Sequence, residues 1–323
     1  MTNQKEIGGY MELELPAGKE YYEGSSVMRL NTGRACIYYA LKKANVKKVY
    51  LPHYLCTSMF QAPKALGIDV ELYYMDEQFR PKEIHSTSSE EAFLYINYFG
   101  TGKKEDINEI SKNHEHFLLD NTQSFYSPPL EKAYNIYSPR KFFGVSDGGY
   151  LIKGNIDIED LPQDISYKHA SHLFKRIEEG ANSAYKENMD NENRFDDFKA
   201  MGMSKLTRRI LQGIDYEKVK IKRERNFYYL HQRLKDINGI DLSHRFEAPM
   251  IYPFLIEKKG LREHLVSNRI YVPTWWNDVL KRVKSDSFEA YLSSYLVPLP
   301  IDQRYSRDDM DIVLGVIDDF LRK

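Results

Sequence analysis

The chain has 323 residues, of which 42% are hydrophobic and 29% charged, and a formal net charge of -1. Such a balance belongs to a folded globular protein of about two domains, and it excludes the disordered and fibrous classes. With no overall field to attract a polyanion, nucleic acid is ruled out as a general partner, and any anion must be held by a local site.

Two cysteines, Cys36 and Cys56, are too few for a disulfide framework and lack zinc-ligand spacing, so a reducing compartment and no metal are expected. The opening MTNQKEIGGY lacks an apolar secretory core, and no apolar run approaches the roughly 18 residues of a membrane span. The expectation is a cytoplasmic protein with no membrane partner.

Along the chain, short apolar runs alternate with amphipathic stretches between positions 30 and 155, the pattern of an α/β fold with a mainly parallel central sheet flanked by helices. Strands are predicted at 47–52, 69–74, 92–99, 116–120, 134–137 and 149–152, rich in β-branched and aromatic residues as suits strands covered on both faces. A helix follows Asn31 or Thr32 as its cap, with Ile37, Ala40, Leu41 and Ala44 on one face. From 160 to 205 polar, charge-mixed sequence predicts helices and loops at the surface or a subunit contact. Beyond it a smaller α/β domain is expected, with a strand over 250–256, a helix over 261–268 and a closing helix bearing Met310, Val313, Leu314, Ile317 and Phe320 on one face. Ser306 and Asp309 resemble a capping box for that helix. The division expected is a large domain over 1–225, whose first 25 residues pack on the small domain, and a small domain over 226–323.

Four segments carry candidate chemistry. Asn31-Thr32-Gly33-Arg34-Ala35 places a glycine turn at a helix start, where backbone N–H groups and the helix dipole suit a phosphate, although such a turn alone is most often only a turn. Asp120 ends an apolar strand, where a half-buried carboxylate wants a cationic partner; capping its own turn explains it equally well. Lys141 lies between Pro139 and the pair Phe142-Phe143, a setting that lowers an ammonium pKa and favours the nucleophilic amine. Asp147-Gly148-Gly149 then leads into the next strand.

In order and spacing these segments resemble the DegT/StrS-type sugar aminotransferases, a branch of the fold type I pyridoxal-phosphate enzymes. Ile7-Gly8-Gly9-Tyr10, Asn97-Tyr98-Phe99-Gly100 and Leu299-Pro300-Ile301 extend the likeness over nearly the whole chain. The resemblance implies pyridoxal 5'-phosphate as cofactor and Lys141 as the Schiff-base lysine and proton shuttle. Asp120 would pair with the pyridine nitrogen, Gln123 would lie near the ring, Thr32, Gly33, Arg34 and Ala35 would hold the phosphate, and Asp147 to Gly149 would shape the return strand. It further implies an amino donor such as glutamate, a nucleotide-linked keto sugar as acceptor in polysaccharide or glycoconjugate biosynthesis, and a homodimer with residues 200–210 near the partner's cofactor.

Three features depart from the family pattern. Ile136 replaces a phosphate-site serine, with Ser138 as the substitute, and Cys56 stands where an aromatic stacks on the ring, with Tyr54 as the substitute. The chain is also short for the family. The competing readings are a non-catalytic or regulatory protein of the same fold, an enzyme of small amino and keto acids with Arg304 as carboxylate clamp, and a sugar dehydratase, which Lys141 argues against. Trp275-Trp276 reads first as small-domain core and second as a substrate wall; Lys218 to Arg225 reads as a solvated helix face.

Overall fold

The computed structural model describes residues 7–83, 86–157, 160–244 and 246–322. Its centre is a seven-stranded sheet of β1 (Val27–Leu30), β2 (Lys48–Pro52), β3 (Asp69–Tyr73), β4 (Glu91–Ile96), β5 (His116–Asp120), β6 (Tyr134–Tyr137) and β7 (Gly149–Ile152), in the order β1-β7-β6-β5-β4-β2-β3. Strands β2 to β6 pair in parallel, and β7 runs antiparallel to both β1 and β6. All six predicted strands of this sheet form. The added one, β1, is four residues long and carries Arg29 in its middle, which conceals it from a hydrophobicity pattern.

Arg29 is tolerated there because Glu20, 4% exposed, accepts from its Nε at 2.9 Å, from Arg208 Nε at 3.1 Å and from the Tyr150 hydroxyl at 2.9 Å. A buried carboxylate with three donors is a satisfied one. Tyr22 adds a 2.6 Å hydrogen bond to the Phe125 carbonyl. The segment around Glu20 and Tyr22 therefore packs beside β1 and β7, not on the small domain as expected from sequence, because its partners all belong to the large sheet and its flank.

Helix α1 (Gly33–Ala44) starts at Thr32, whose hydroxyl accepts from Ala35 N at 3.1 Å. Its predicted apolar face is buried, with Ile37, Ala40 and Leu41 at most 1% exposed. Ile37 and Leu41 each contribute about 1.5–3 kcal/mol by burial. Sheet and helix approach closely where β7 begins: a Cβ on Gly149 would lie 2.6 Å from the Thr32 carbonyl oxygen and 2.8 Å from Cys36 Sγ. Gly148, at φ +128, leaves a Cβ only 2.8 Å from Pro139 Cγ. The glycine pair is thus a requirement of packing that brings the lysine turn against the start of α1.

Helix α2 (Gln61–Leu66) lies between β2 and β3 and α3 (Lys104–Ser111) between β4 and β5; after the sheet come α4 (Ser171–Glu179), α5 (Tyr185–Asn193) and α6 (Lys205–Gln212), then the long α7 (Tyr216–Leu234). A two-stranded antiparallel sheet, β8 (Tyr252–Leu255) with β9 (Leu296–Leu299), is accompanied by α8 (Leu261–Ser267), α9 (Phe288–Tyr295) and α10 (Arg307–Leu321). Strand β9 contains Pro298 opposite Pro253. Two prolines facing each other suit a ribbon with free edges and mask the strand in the sequence. The capping box of α10 is present: Ser306 Oγ accepts from Asp309 N at 3.3 Å, and Asp309 Oδ2 accepts from Ser306 N at 2.7 Å.

The Gly149 contact gives a stability prediction. Gly149→Ala loses about 1–3 kcal/mol by overpacking, whereas Gly154→Ala, with nothing within 4 Å of its Cβ, stays within about 0.5 kcal/mol. Urea denaturation of the two variants measures both, and equal midpoints would mean that β7 and α1 are not held together at this point.

Candidate active site

The carboxyl ends of parallel strands are where α/β sheets leave room for ligands, and here three chain segments converge on one such place. Strand β5 ends on Asp120, a turn after β6 carries Pro139-Arg140-Lys141, and α1 begins at Thr32-Gly33-Arg34. They line a cavity of about 230 Å³ together with Cys56, Gln123, Ser138, Trp275 and Trp276.

Lys141 Nζ donates to Thr122 Oγ1 at 3.0 Å, and Thr122 N donates to Asp120 Oδ1 at 2.8 Å. Lysine and acid are thereby held on one short relay. Asp120 is 3% exposed and makes no ion pair among the described residues. Burial pushes its carboxyl pKa up, opposed by the charge of Lys141 and the hydrogen bonds from Thr122. Burial pushes Lys141 below the usual lysine value, opposed chiefly by Asp120. Lys141 still meets solvent through the cavity; the protein packed round its ammonium, rather than complete enclosure, sets the direction of its shift. The turn itself is anchored by Phe142 and Phe143, which are buried in a cluster with Tyr22, Phe125, Tyr137 and Tyr150.

At the start of α1 the N–H groups of Gly33 and Arg34 have no acceptor within the helix. A Cβ on Gly33 would come 3.2 Å from Thr122 Cγ2, so a glycine keeps this turn close to the lysine relay. Ala35 does not line the cavity: its N–H is taken by Thr32 and its side chain is buried beneath the helix. Ser138 lines the cavity, whereas Ile136 is wholly buried in the core. Gln123 lines it too, with its Oε1 accepting from Phe99 N at 2.9 Å, where Phe99 has a φ of 60. That hydrogen bond supports a strained turn, so part of Gln123 serves the scaffold.

Tyr54 is placed differently from the expectation that it faces a ring in the cavity. It is fully buried, and its hydroxyl donates to the Trp275 carbonyl at 2.5 Å. The aromatic rings that do line the cavity are Trp275 and Trp276, stacked at 5.7 Å and 15°, with Trp275 also stacked on Phe99 at 5.8 Å and 8°. Both are half-buried and pack against the main hydrophobic core, as the first reading had it, and they line the cavity as well, as the second had it. Their distance in sequence from every motif kept the wall reading second.

Two arginines flank the lysine. Arg140 contacts Glu192 of α5 and lies over the Phe195 ring at 4.6 Å. Arg34 Nη1 donates to the Phe195 carbonyl at 2.8 Å. Glu192 thus lines the cavity and Phe195 backs both arginines, in a stretch read from sequence as surface or subunit contact. Arg304 is held by Asp302 through two contacts of 2.7 and 2.8 Å; it does not line this cavity but lines an adjoining one that Arg140, Lys141 and Glu192 share. The basic run of α7 is not wholly solvated either. Arg223 is 2% exposed and donates to the carbonyls of Pro249, Met250 and Phe142, fastening α7 to the residue after the lysine. Asp147 accepts from Ser204 N at 2.8 Å and Ser204 Oγ at 2.7 Å, as well as from Thr207, and so fixes the start of α6 behind the site.

The two opposed shifts give a prediction whose sign follows from Coulomb's law. The Asp120 carboxylate stabilises the Lys141 ammonium, so Asp120→Asn lowers the Lys141 pKa further below its wild-type value. Reductive methylation with labelled formaldehyde, followed by an NMR titration, reads this directly. An unchanged or raised value in the variant would show that the two groups do not interact.

No family model and no curated protein matches the sequence. Solved structures match the fold. A DegT DnrJ EryC1 StrS aminotransferase from Brucella abortus is 15% identical, with a TM-score of 0.64 over 91% of this chain and 85% of its own. The sugar aminotransferase CalS13 from Micromonospora echinospora is 12% identical, with a TM-score of 0.61 over 91% and 87%. The E. coli GDP-4-keto-6-deoxy-D-mannose-3-dehydratase, solved with hydrated PLP, is 18% identical, with a TM-score of 0.61 over 90% and 87%. The mainly parallel sheet with its antiparallel β7, the flanking helices and the small C-terminal ribbon are thus the fold of the type I pyridoxal-phosphate aminotransferases.

Proposed function

We propose that this protein is a pyridoxal 5'-phosphate-dependent aminotransferase acting on a nucleotide-linked keto sugar, with an amino acid, glutamate by preference, as donor. The observation that carries the reading is the relay Lys141–Thr122–Asp120 inside one cavity: an amine with a lowered pKa stands beside a buried carboxylate that lacks a cationic partner. A protonated pyridine nitrogen is a partner of the right charge for Asp120, and an aldehyde is the electrophile that a lysine such as Lys141 attacks. When bound, the cofactor supplies that aldehyde and a ring that takes up the electrons of the substrate carbon.

The remaining residues act around it. Lys141 would hold the cofactor through its amine and, once released, would move the proton at the substrate carbon. Thr122 fixes the amine, Ser138, Thr32 and the N–H groups of Gly33 and Arg34 hold the phosphate, and Gln123 and Cys56 bound the ring. Trp275 and Trp276 supply an apolar wall that limits water. A dehydratase with this fold is among the matched structures, but a lysine at 141 favours amino transfer.

We read the assembly as a homodimer in the cytoplasm, with residues 200–210 near the partner's cofactor. Ile165, Tyr167, Phe174 and Ile177 are 51–81% exposed around α4, the kind of apolar patch that a second copy covers. No helix among the described residues is long and apolar enough to cross a membrane. We place the large unit at 1–225 and the small one at 226–323, with α7 running through the boundary.

Borohydride treatment of the cofactor-loaded protein, followed by peptide mapping, is expected to fix the pyridoxyl group on Lys141. Asp120→Asn is expected to weaken cofactor binding about tenfold to a hundredfold, the equivalent of roughly 1.5–3 kcal/mol for a lost charged hydrogen bond. Glutamate should convert the cofactor to its amino form, and a nucleotide keto sugar should return it faster than pyruvate or oxaloacetate does. Labelling of a different lysine would end the proposal. Return by small keto acids alone would leave an amino-acid aminotransferase, and no reaction with any donor would leave a binding protein.

A further inference from the structure

Arg140 precedes Lys141 and lines the same cavity, yet no part of the relay uses it. Its side chain is 14% exposed, and among the described residues its one carboxylate partner is Glu192, met by Nη2. Arg140 Nε is buried and has no hydrogen-bond partner. A guanidinium presents a planar fork that fits both oxygens of a carboxylate. Glu192 thus fills one contact of a group built for more.

Glu192 itself is weakly committed. Its side chain is 44% exposed and lies in the last turn of α5, the end of a helix where a negative charge is disfavoured by about 0.3–1 kcal/mol. Three residues beyond it is Phe195, whose ring lies under Arg140 and whose carbonyl is held by Arg34. That second anchorage keeps this segment in place when Glu192 is released.

We propose that Arg140 is the carboxylate-binding residue of the site and that Glu192 is a built-in stand-in, displaced into solvent when the carboxylate of the amino donor takes Arg140. This rests on the reading of the cavity as an amino-transfer site. One carboxylate replaces another, so the charge next to Lys141 is unchanged through the exchange. The competition lowers the apparent affinity for a donor carboxylate by the fraction of time Glu192 holds the arginine. An anion at Arg140 can come from a donor carboxylate or from the cofactor phosphate; the group that Arg140 already holds is a carboxylate, that of Glu192, which favours the former.

The test titrates maleate, a dicarboxylate with no amino group, into the cofactor-loaded protein by calorimetry, alongside Glu192→Gln, Arg140→Met and Arg140→Lys. Glu192→Gln is expected to bind maleate about three- to tenfold more tightly. Arg140→Met should bind it at least about tenfold more weakly, and Arg140→Lys should fall between, having the charge without the fork. Cofactor affinity, read from separate titrations, should be unchanged in Glu192→Gln. Equal or weaker maleate binding by Glu192→Gln would overturn the proposal, leaving Glu192 as a tie for α5. So would Arg140→Met losing cofactor affinity while keeping maleate, which assigns Arg140 to the phosphate. If Arg140→Met fails to fold, Arg140→Lys and Glu192→Gln decide by the same signs. Wild-type protein that retains no cofactor ends the amino-transfer reading and this inference together, whereas cofactor retention with no Glu192 effect ends only the inference.

Discussion

A carboxylate buried at the end of the central strand is the constraint on which the site depends. Asp120 sits 3% exposed between β4 and β6, paired in register with Ile96 and Ile136, where water cannot solvate its charge. Its hydrogen bond from Thr122 supplies part of the missing solvation and, in the same residue, positions Lys141. The acid therefore sets both the electrostatics of the cavity and the place of the amine. Among the described residues it makes no ion pair, so a cationic group of a ligand would complete its solvation.

Around that point the fold works as a set of close approaches. Gly33 brings the start of α1 to Thr122, and Gly148-Gly149 let β7 pass the Thr32 carbonyl. Asp147 fastens α6, and Arg223 ties α7 and the loop before β8 to the carbonyl of Phe142. Each link lies within a few residues of Lys141 or Asp120, so small packing changes at the periphery are transmitted to the lysine turn. Rigid support of this kind is what holds reacting groups in register without loss of orientation at each turnover.

Much of this was legible in the sequence, for physical reasons. Strands β4 to β7 are apolar because both their faces are covered, whereas β3, expected to be covered likewise, is a largely exposed edge strand; Thr32, Asp120 and Lys141 stand near the ends of apolar runs. Eight of the ten cofactor residues expected from sequence line the cavity, all but Ala35 and Tyr54. The parts that escaped are those whose signal is not periodic. Strand β1 is interrupted by Arg29, neutralised only by a distant Glu20; β9 contains a proline that an edge ribbon tolerates; Trp275 and Trp276 reach the site from a loop far along the chain. Arg140 read as a neighbour of the lysine, and Glu192 as surface, because an ion pair across 52 positions leaves no mark on spacing.

The central claim is that the buried acid and the lysine together hold a pyridoxal ring with its nitrogen protonated. The measurement closest to that claim is the 15N chemical shift of cofactor labelled at the ring nitrogen and bound to the protein, in wild type and in Asp120→Asn. The account predicts a protonated ring nitrogen in the wild type at a pH well above that at which free pyridines lose their proton, and a neutral one in the variant. A neutral ring nitrogen in the wild type, or a protonated one that Asp120→Asn leaves unchanged, would contradict it.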